Sequence, residues 1–396
     1  SIDWNDYVGR IAVGRIEQGT VKLNQEIALV SGKGDQKMKG RATKLFSFNG
    51  LQREPIEEGF AGDIVALAGY DSVNIGDTLT AASDPTPLEY VDLDKPTIAM
   101  YFRVNNSPFA GLEGKFVTSN QIKDRLEREV RTNVAMRVEA TDSPDVFKVS
   151  GRGELQMAIL IETMRREGFE FSVSRPEVLF QEIDDVIHEP VEEVVVDVLT
   201  DYSNKVIDNL QKRKGIMQGM SQEGENNRIE FRVPSRGLIG FRGEMLTETR
   251  GTGIMHQQFD GYEPYAGEIP GRTRGALIAL EKGDVTGYAL EGVQDRGTFF
   301  VEPGDSVYMG MVVGTNNRSD DMVVNVAKKK ALTNHRASIT ADSIKISQAK
   351  KMSLEECIEF IANDELLEVT PESLRIRKKF LDHNERKREE KKKAGV

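Results

Sequence analysis

The sequence predicts a multi-domain α+β protein: a small β-barrel, two ferredoxin-like βαββαβ domains in series, and a mainly β C-terminal domain. Three observations predict it. Residues 1–84 alternate apolar and polar positions in short runs broken by Gly turns. One order of strand and helix patterns occurs twice between 85 and 264. The 396 residues also exceed one ordinary domain of about 150 residues.

The first range, 1–84, contains "YVGRIAVGRIEQGTVKLNQEIALV", with turns at Gln18-Gly19 and Leu23-Asn24. "AGDIVAL" and "NIGDTL" repeat a Gly-Asp turn before an apolar run. Three prolines in "SDPTPLEYVDLDKP" mark the boundary. In 85–186, "PTIAMYFRVN" reads as a strand. Ile122, Leu126 and Val130 give the next segment one helical face. "VAMRVEATDSPDVFKVSG" reads as two strands around Ser143-Pro144. A second helix, "GELQMAILIETMRREG", ends at Gly168, and "FEFSVSRP" closes the unit. Residues 187–264 repeat the order: "VEEVVVDVL", a helix with Asp201 as N-cap and Gly215 as its end, two strands, the helix "SRGLIGFRGEMLTETRG", and "GIMHQQFDGY". In 265–385, "TGYALEGVQDRGTFFVEPGDSVYMGMVVG" reads as strands and turns. Ser353 and Glu356 form a capping-box pattern, and "LEVTPESLRIRKK" reads as a strand. The tail 386–396 is charged, lacks apolar anchors, and is expected to be disordered.

Composition removes several function classes. No run approaches ~18 apolar residues, so no membrane partner is expected. "SIDWNDYVGR" has neither the basic nor the apolar region of a signal peptide and no initiator Met; the expectation is a portion of a longer cytoplasmic protein. The single cysteine, Cys357, excludes an intrachain disulfide, and its apolar neighbours Leu354, Ile358 and Ile361 suit a buried thiol; no disulfide-linked partner is expected. His188, His256, His335 and His383 lie far apart, so no catalytic metal site is expected. No G-x-x-x-x-G-K-[ST] loop occurs, and "GLEGKF" has the wrong spacing, so no nucleotide cofactor is expected for this chain. No nucleophile–base arrangement can be argued, and no catalytic residue is assigned.

The charge is uneven. The chain carries −11 overall, yet 324–351 holds seven basic residues against Asp342 alone. Residues 1–320 have 36 basic and 51 acidic side chains, and 321–396 have 17 and 13. The segment "AKKKALTNHRAS" fits two readings: a solvated surface run, or a contact for a polyanion. The second is favoured because this run does not mix signs, as "ERKREEKKK" does. Lys328, Lys329 and Lys330 supply point charge and Arg336 a fork for phosphate, while Asn334 and His335 can hydrogen-bond bases or sugars. The Gly-rich helix starts "GRGEL" and "GFRGE" likewise have two readings. Their glycines give tight turns and close packing, or their free N–H groups and adjacent arginines grip a phosphate. Arg236 and Arg242 join the candidate RNA contacts on that basis, and Arg318 is counted with them.

Barrel, ferredoxin-like unit, ferredoxin-like unit is also the order that follows the GTPase domain in elongation factor G. Within that group the chain resembles the BipA/TypA family of translational GTPases. The resemblance lies in "YVGRIAVGRIEQGTVK", "EGKFVTSNQIKDRLEREVRTNVAMRVE", "VSGRGELQMAILIETMRREGFEFSVSRPEV", "VPSRGLIGFRGEMLTETRGTGIM", and "KALTNHRAS" with "LEVTPESLRIRKKFL", from about Asp3 to Leu381. It implies elongation factor G domain III-like and V-like units and a family-specific C-terminal domain with a basic loop. It also implies ribosome binding between the subunits, contacts with rRNA, ribosomal proteins and A-site tRNA, large-subunit assembly, and growth under cold or other stress. GTP and Mg²⁺ are expected of the family's N-terminal domain, so this chain is expected to be inactive alone. The family's tRNA-directed loop matches Asn325 to Asp342, except that Ala331 stands where Lys is usual and His335 where Met is common. An adaptor that binds ribosomal proteins without RNA, and a phosphate-handling enzyme built on the Gly-rich turns, are the alternatives.

Overall fold

Strands dominate the computed structural model, which is α+β. It describes all residues except 6, 33–34, 51, 90–95, 270, 330–345 and 394–396. The chain divides into two compact units: Ser1–Pro96 with Lys123–Glu139 and Val149–Arg152, and Thr97–Ile122 with Ala140–Lys148 and Gly153–Val396.

In the first unit, five strands order as Ile2–Asn5, Gly9–Arg15, Ile64–Ala68, Lys44–Asn49, Gln52–Pro55. Thr78–Ala81, Glu26–Val30 and Gln36–Arg41 make a second sheet. Ile27, Leu29, Leu45, Val65 and Leu67 form the core. Tyr70 is buried among them and donates its hydroxyl to the Ile27 carbonyl at 2.7 Å. The buried polar tip is therefore satisfied, which lets an aromatic body fill the centre.

The second unit contains the long strand Val186–Leu199. It pairs antiparallel with Asn226–Pro234 on one side and Ile254–Pro264 on the other, and Ile216–Glu223 lies outside Asn226–Pro234. Val194, Val196, Val198, Ile229, Phe231 and Val233 turn one face inward, where Val206, Leu210, Phe241 and Met245 from the helices cover them. The period-2 pattern of these strands and the 3.6 pattern of helix Thr200–Lys212 produce that layer. Asp201 lies in the helix's first turn, not at its N-cap. Lys214, not Gly215, takes the left-handed conformation (φ 67°), and Gly215 is needed because a Cβ there would lie 2.8 Å from the Leu210 carbonyl oxygen.

The segment read as one helix over 235–251 is two, Ser235–Leu238 and Phe241–Glu248, broken at Gly240 with φ 76°. Helix Glu154–Arg166 ends as expected: Gly168 is left-handed and its N–H donates to the Arg165 carbonyl. A capping box also opens helix Leu354–Phe360, where Glu356 N–H donates to Ser353 Oγ and Ser353 N–H to Glu356 Oε2.

Three further features differ from the sequence reading. Gly287–Val293, expected as strand, is a helix, because Thr286 caps it through the Ala289 N–H and Ala289, Leu290 and Glu291 favour helix. The hairpin of Glu365–Val369 and Leu374–Lys378 leaves the C-terminal segment and extends another sheet: Val369 pairs with Phe171 and Leu367 with Val173. It thereby covers what would be an open strand edge. The tail expected to be disordered is helical over His383–Lys393. Asp382 accepts the N–H groups of Asn384 and Glu385, and Arg386 bonds the Phe380 and Leu381 carbonyls, which fixes the first turn.

Candidate nucleic-acid interface

The basic loop grows from a small sheet ordered Gly297–Phe299, Val312–Asn316, Ala276–Ala279, Met322–Val324. Met322–Val324 is its outer strand, parallel to Ala276–Ala279. Val324 and Val326 bury their side chains in a core with Leu277, Val285, Leu290 and Tyr308. The chain then turns outward, and Lys328 and Lys329 are exposed.

The root of the loop is pinned. Thr286 N–H donates to the Val326 carbonyl at 3.0 Å, and Thr286 Oγ1 to the Lys328 carbonyl at 2.6 Å. Asn325 Nδ2 donates to Glu281 Oε1 at 2.7 Å, while Asn325 Oδ1 accepts the Ala327 N–H at 3.1 Å. On the returning side, Ile346 packs against the same core, and Ser347 N–H donates to Gln294 Oε1 at 3.3 Å. Both ends are thus held beside helix Gly287–Val293. Sequence reasoning did not single out Thr286; its N-cap position before "GYAL" was the available signal.

Among the described residues, no carboxylate pairs with the ammonium of Lys328 or Lys329. Lys350 and Lys351, counted in the same basic segment, differ: they pair with Glu356 at 3.0 Å and Glu302 at 3.5 Å. Lys330, Asn334, His335 and Arg336 lie outside the described residues. Arg242 and Arg318 are exposed.

Arg236 sits in a different environment. Its guanidinium grips the carboxylate of Glu189, which is 1% exposed, and also donates to the Gly267 carbonyl. It stacks 4.6 Å from the Tyr265 ring centroid. A fork so occupied holds the chain together.

The Gly-rich turn at Gly240 is likewise filled from within. Its N–H donates to Glu154 Oε2 at 3.2 Å. Arg213 donates to the Gly237 and Ile239 carbonyls at 2.9 and 3.0 Å and to Glu244 Oε2 at 2.5 Å. Glu359 packs so closely that a Cβ at Gly240 would lie 2.2 Å from its Cγ. Burial lifts the Glu359 carboxyl to about 7; Glu154 and Glu244 add to the rise, and Arg213 and Lys350 oppose it. Burial also raises Glu154, against the Gly240 N–H. The turn's amide therefore already has a carboxyl partner within the chain.

Among the described residues, no group of three or more His, Cys, Asp or Glu side chains has the geometry to hold a metal ion, and no helix is long and apolar enough to cross a membrane.

Comparison with known proteins accounts for the whole length. The TypA/BipA C-terminal domain model matches residues 274–383, the elongation factor G C-terminus model 186–273, and the elongation factor Tu domain 2 model 9–80. The large ribosomal subunit assembly factor BipA of Bacillus subtilis is 49% identical over 399 residues, covering 100% of this chain and 65% of that relative. The Synechocystis protein of the same name is 49% identical over 96% of this chain and 63% of its own length. That of Haemophilus influenzae is 46% identical over 98% and 63%. The chain thus spans just under two thirds of the length of these relatives. Domain matches over 9–80, 186–273 and 274–383 and near-half identity along the whole chain lead to one conclusion: it belongs to the TypA/BipA family.

Proposed function

We propose that this chain is the ribosome-docking portion of a cytoplasmic translational GTPase that assists large-subunit assembly. The relatives named as large ribosomal subunit assembly factors support the ribosome as partner. In this reading residues 9–80 act as a translation-factor barrel and two ferredoxin-like domains follow. The basic loop touches rRNA and the A-site tRNA, and the whole protein uses GTP and Mg²⁺ and serves growth under cold or other stress.

One observation carries the proposal: Lys328 and Lys329 stand exposed, without a described carboxylate partner, on a pinned root of a chain with net charge −11. Free ammonium groups neutralise phosphate and release counterions, whereas the acidic remainder discourages contact elsewhere. The test is a salt titration of binding to the large ribosomal subunit, comparing the chain with a variant carrying Lys328→Ala, Lys329→Ala, Lys330→Ala and Arg336→Ala. Each lost phosphate contact should lower the slope of log affinity against log salt by about 1. An unchanged slope removes the loop from the interface. It would leave the RNA-independent adaptor, with contacts to ribosomal proteins alone, as the better reading.

A further inference from the structure

A second cationic feature lies outside the loop. A cavity of about 370 Å³ is bordered by Arg175, Arg272, Arg274, Asp321, Asp364 and Lys378, with Gly271 and Gly275 in its wall. That volume is at the small end of the ~300–1,000 Å³ usual for ligand sites. The charges around it divide into two groups. Lys378, 2% exposed at its side chain, pairs with Asp321 at 2.5 Å, Asp364 at 2.7 Å and Glu365 at 3.0 Å. Arg272 makes a two-pronged pair with the fully buried Glu365, at 3.0 and 2.9 Å, and stacks on Phe360. Those two cations consume all three carboxylates. Among the described residues, neither Arg175 nor Arg274 has a side-chain hydrogen bond or ion pair.

Arg175 is the anomaly. It follows strand Phe171–Val173, is partly buried, and a Cβ added at Gly271 would meet its Nη1 at 3.9 Å. Burial lowers its pKa, the nearby cations Arg272 and Arg213 lower it further, and the Glu365 carboxylate opposes them. A guanidinium withdrawn from water costs free energy unless an anion compensates it. Glu365, the carboxylate that opposes the shift, is already bound by Arg272 and Lys378, which leaves the Arg175 fork open to an anion from outside.

We propose that this cleft binds a phosphate group, held by Arg175 from the inner side and Arg274 from the rim. Two uncommitted guanidinium forks suit a tetrahedral oxyanion of charge near −2. The shallow, small cavity admits a phosphate but leaves its substituent outside. A free phosphate or pyrophosphate and a phosphodiester of bound RNA share this chemistry.

The test uses the full chain at constant ionic strength. Thermal unfolding is followed with added sodium phosphate, sodium pyrophosphate, or a short single-stranded RNA, each against chloride. Pyrophosphate should raise the midpoint, and Arg175→Gln should weaken its apparent affinity by roughly tenfold or more. Without added anion, Arg175→Gln should unfold at the same temperature or higher, because an unpaired charge has been removed. Lys328→Ala with Lys329→Ala should leave the pyrophosphate response intact, which separates this cleft from the loop. RNA that competes with pyrophosphate would identify the phosphodiester as the source; pyrophosphate binding unaffected by RNA would identify the free anion. The proposal is overturned if no anion shifts the midpoint, if Arg175→Gln responds as the parent does, or if Arg175→Gln is itself destabilised, which would make Arg175 a structural residue.

Discussion

Replacing Glu359 by Gln should stabilise the protein at pH 8 and do so much less at pH 5. Glu359 lies on helix Leu354–Phe360 against Gly240, and it faces Glu154, Glu244, Arg213 and Lys350. Burial raises its carboxyl from 4.5 to about 7. The sign follows from proton counts. Between pH 4.5 and 7 the folded state keeps a proton on Glu359 that the unfolded chain has lost, so stability falls as pH rises through that window and levels off above it. A shift of that size integrates to at most ~3 kcal/mol. The side chain is only partly buried, and solvent screening reduces the effect to about 1–2 kcal/mol. Gln has the shape of the protonated acid and cannot ionise, so it escapes the penalty at pH 8. Urea unfolding of both proteins at pH 5 and pH 8 measures the difference. An equal gain at both pH values, or none at pH 8, would refute the argument and show that solvent or Arg213 already neutralises this carboxylate.

Arg236→Ala should destabilise by about 3–5 kcal/mol, because it leaves the buried Glu189 carboxylate unpaired; denaturant unfolding reads the loss, and the salt slope of ribosome binding should not change. Thr286→Val should cost about 1–2 kcal/mol through the lost cap of Gly287–Val293 and the lost bond to the Lys328 carbonyl. Faster amide exchange at Ala289 and Leu290 would report it, and unchanged protection would contradict the capping role. Cys357 is buried and, chiefly through that burial, its thiol is pushed up to about 12. An aromatic disulfide reagent should therefore label it only at the rate of unfolding, and rapid labelling in native buffer would count against the packing.

Local pattern was legible in the sequence; distant partnership was not. "VEEVVVDVL" gave residues 191–199 of the strand Val186–Leu199, and the apolar face of "GELQMAILIETMRREG" gave helix Glu154–Arg166, because each signal lies within one element. The capping box at Ser353 was equally local. "LRIRKK" shows the limit. Its alternation gave the strand Leu374–Lys378, but nothing local said that its basic residues would be buried. Arg377 and Lys378 are instead 2% and 1% exposed, because carboxylates from Asp321, Asp364 and Glu365 surround Lys378 and Arg377 reaches Asn106. Those partners sit up to 271 residues away, and one sequence carries no sign of them. Helix Gly287–Val293 was missed for a different reason: seven residues are too few for a period to emerge from a glycine-rich context.

The same limit governs which basic residues remain available to a partner. Arg236 and Arg175 each stand beside a residue that breaks regular structure, Gly237 and Pro176, and nothing local tells which of them finds a partner. Glu189, 47 residues before Arg236, settles its fate by filling its fork. Around Arg175 the carboxylates are spent on Arg272 and Lys378 instead. Whether an arginine binds its own chain or something else is therefore decided by the supply of nearby carboxylates, which only the fold reveals. Transferring one acid to the cleft tests this directly. Ser319, also on the cavity wall, is exposed, and Ser319→Asp would offer Arg175 and Arg274 an internal anion. It should raise the resting midpoint and abolish the pyrophosphate response together. If it abolished neither, charge supply would not be what keeps those two guanidinium groups open.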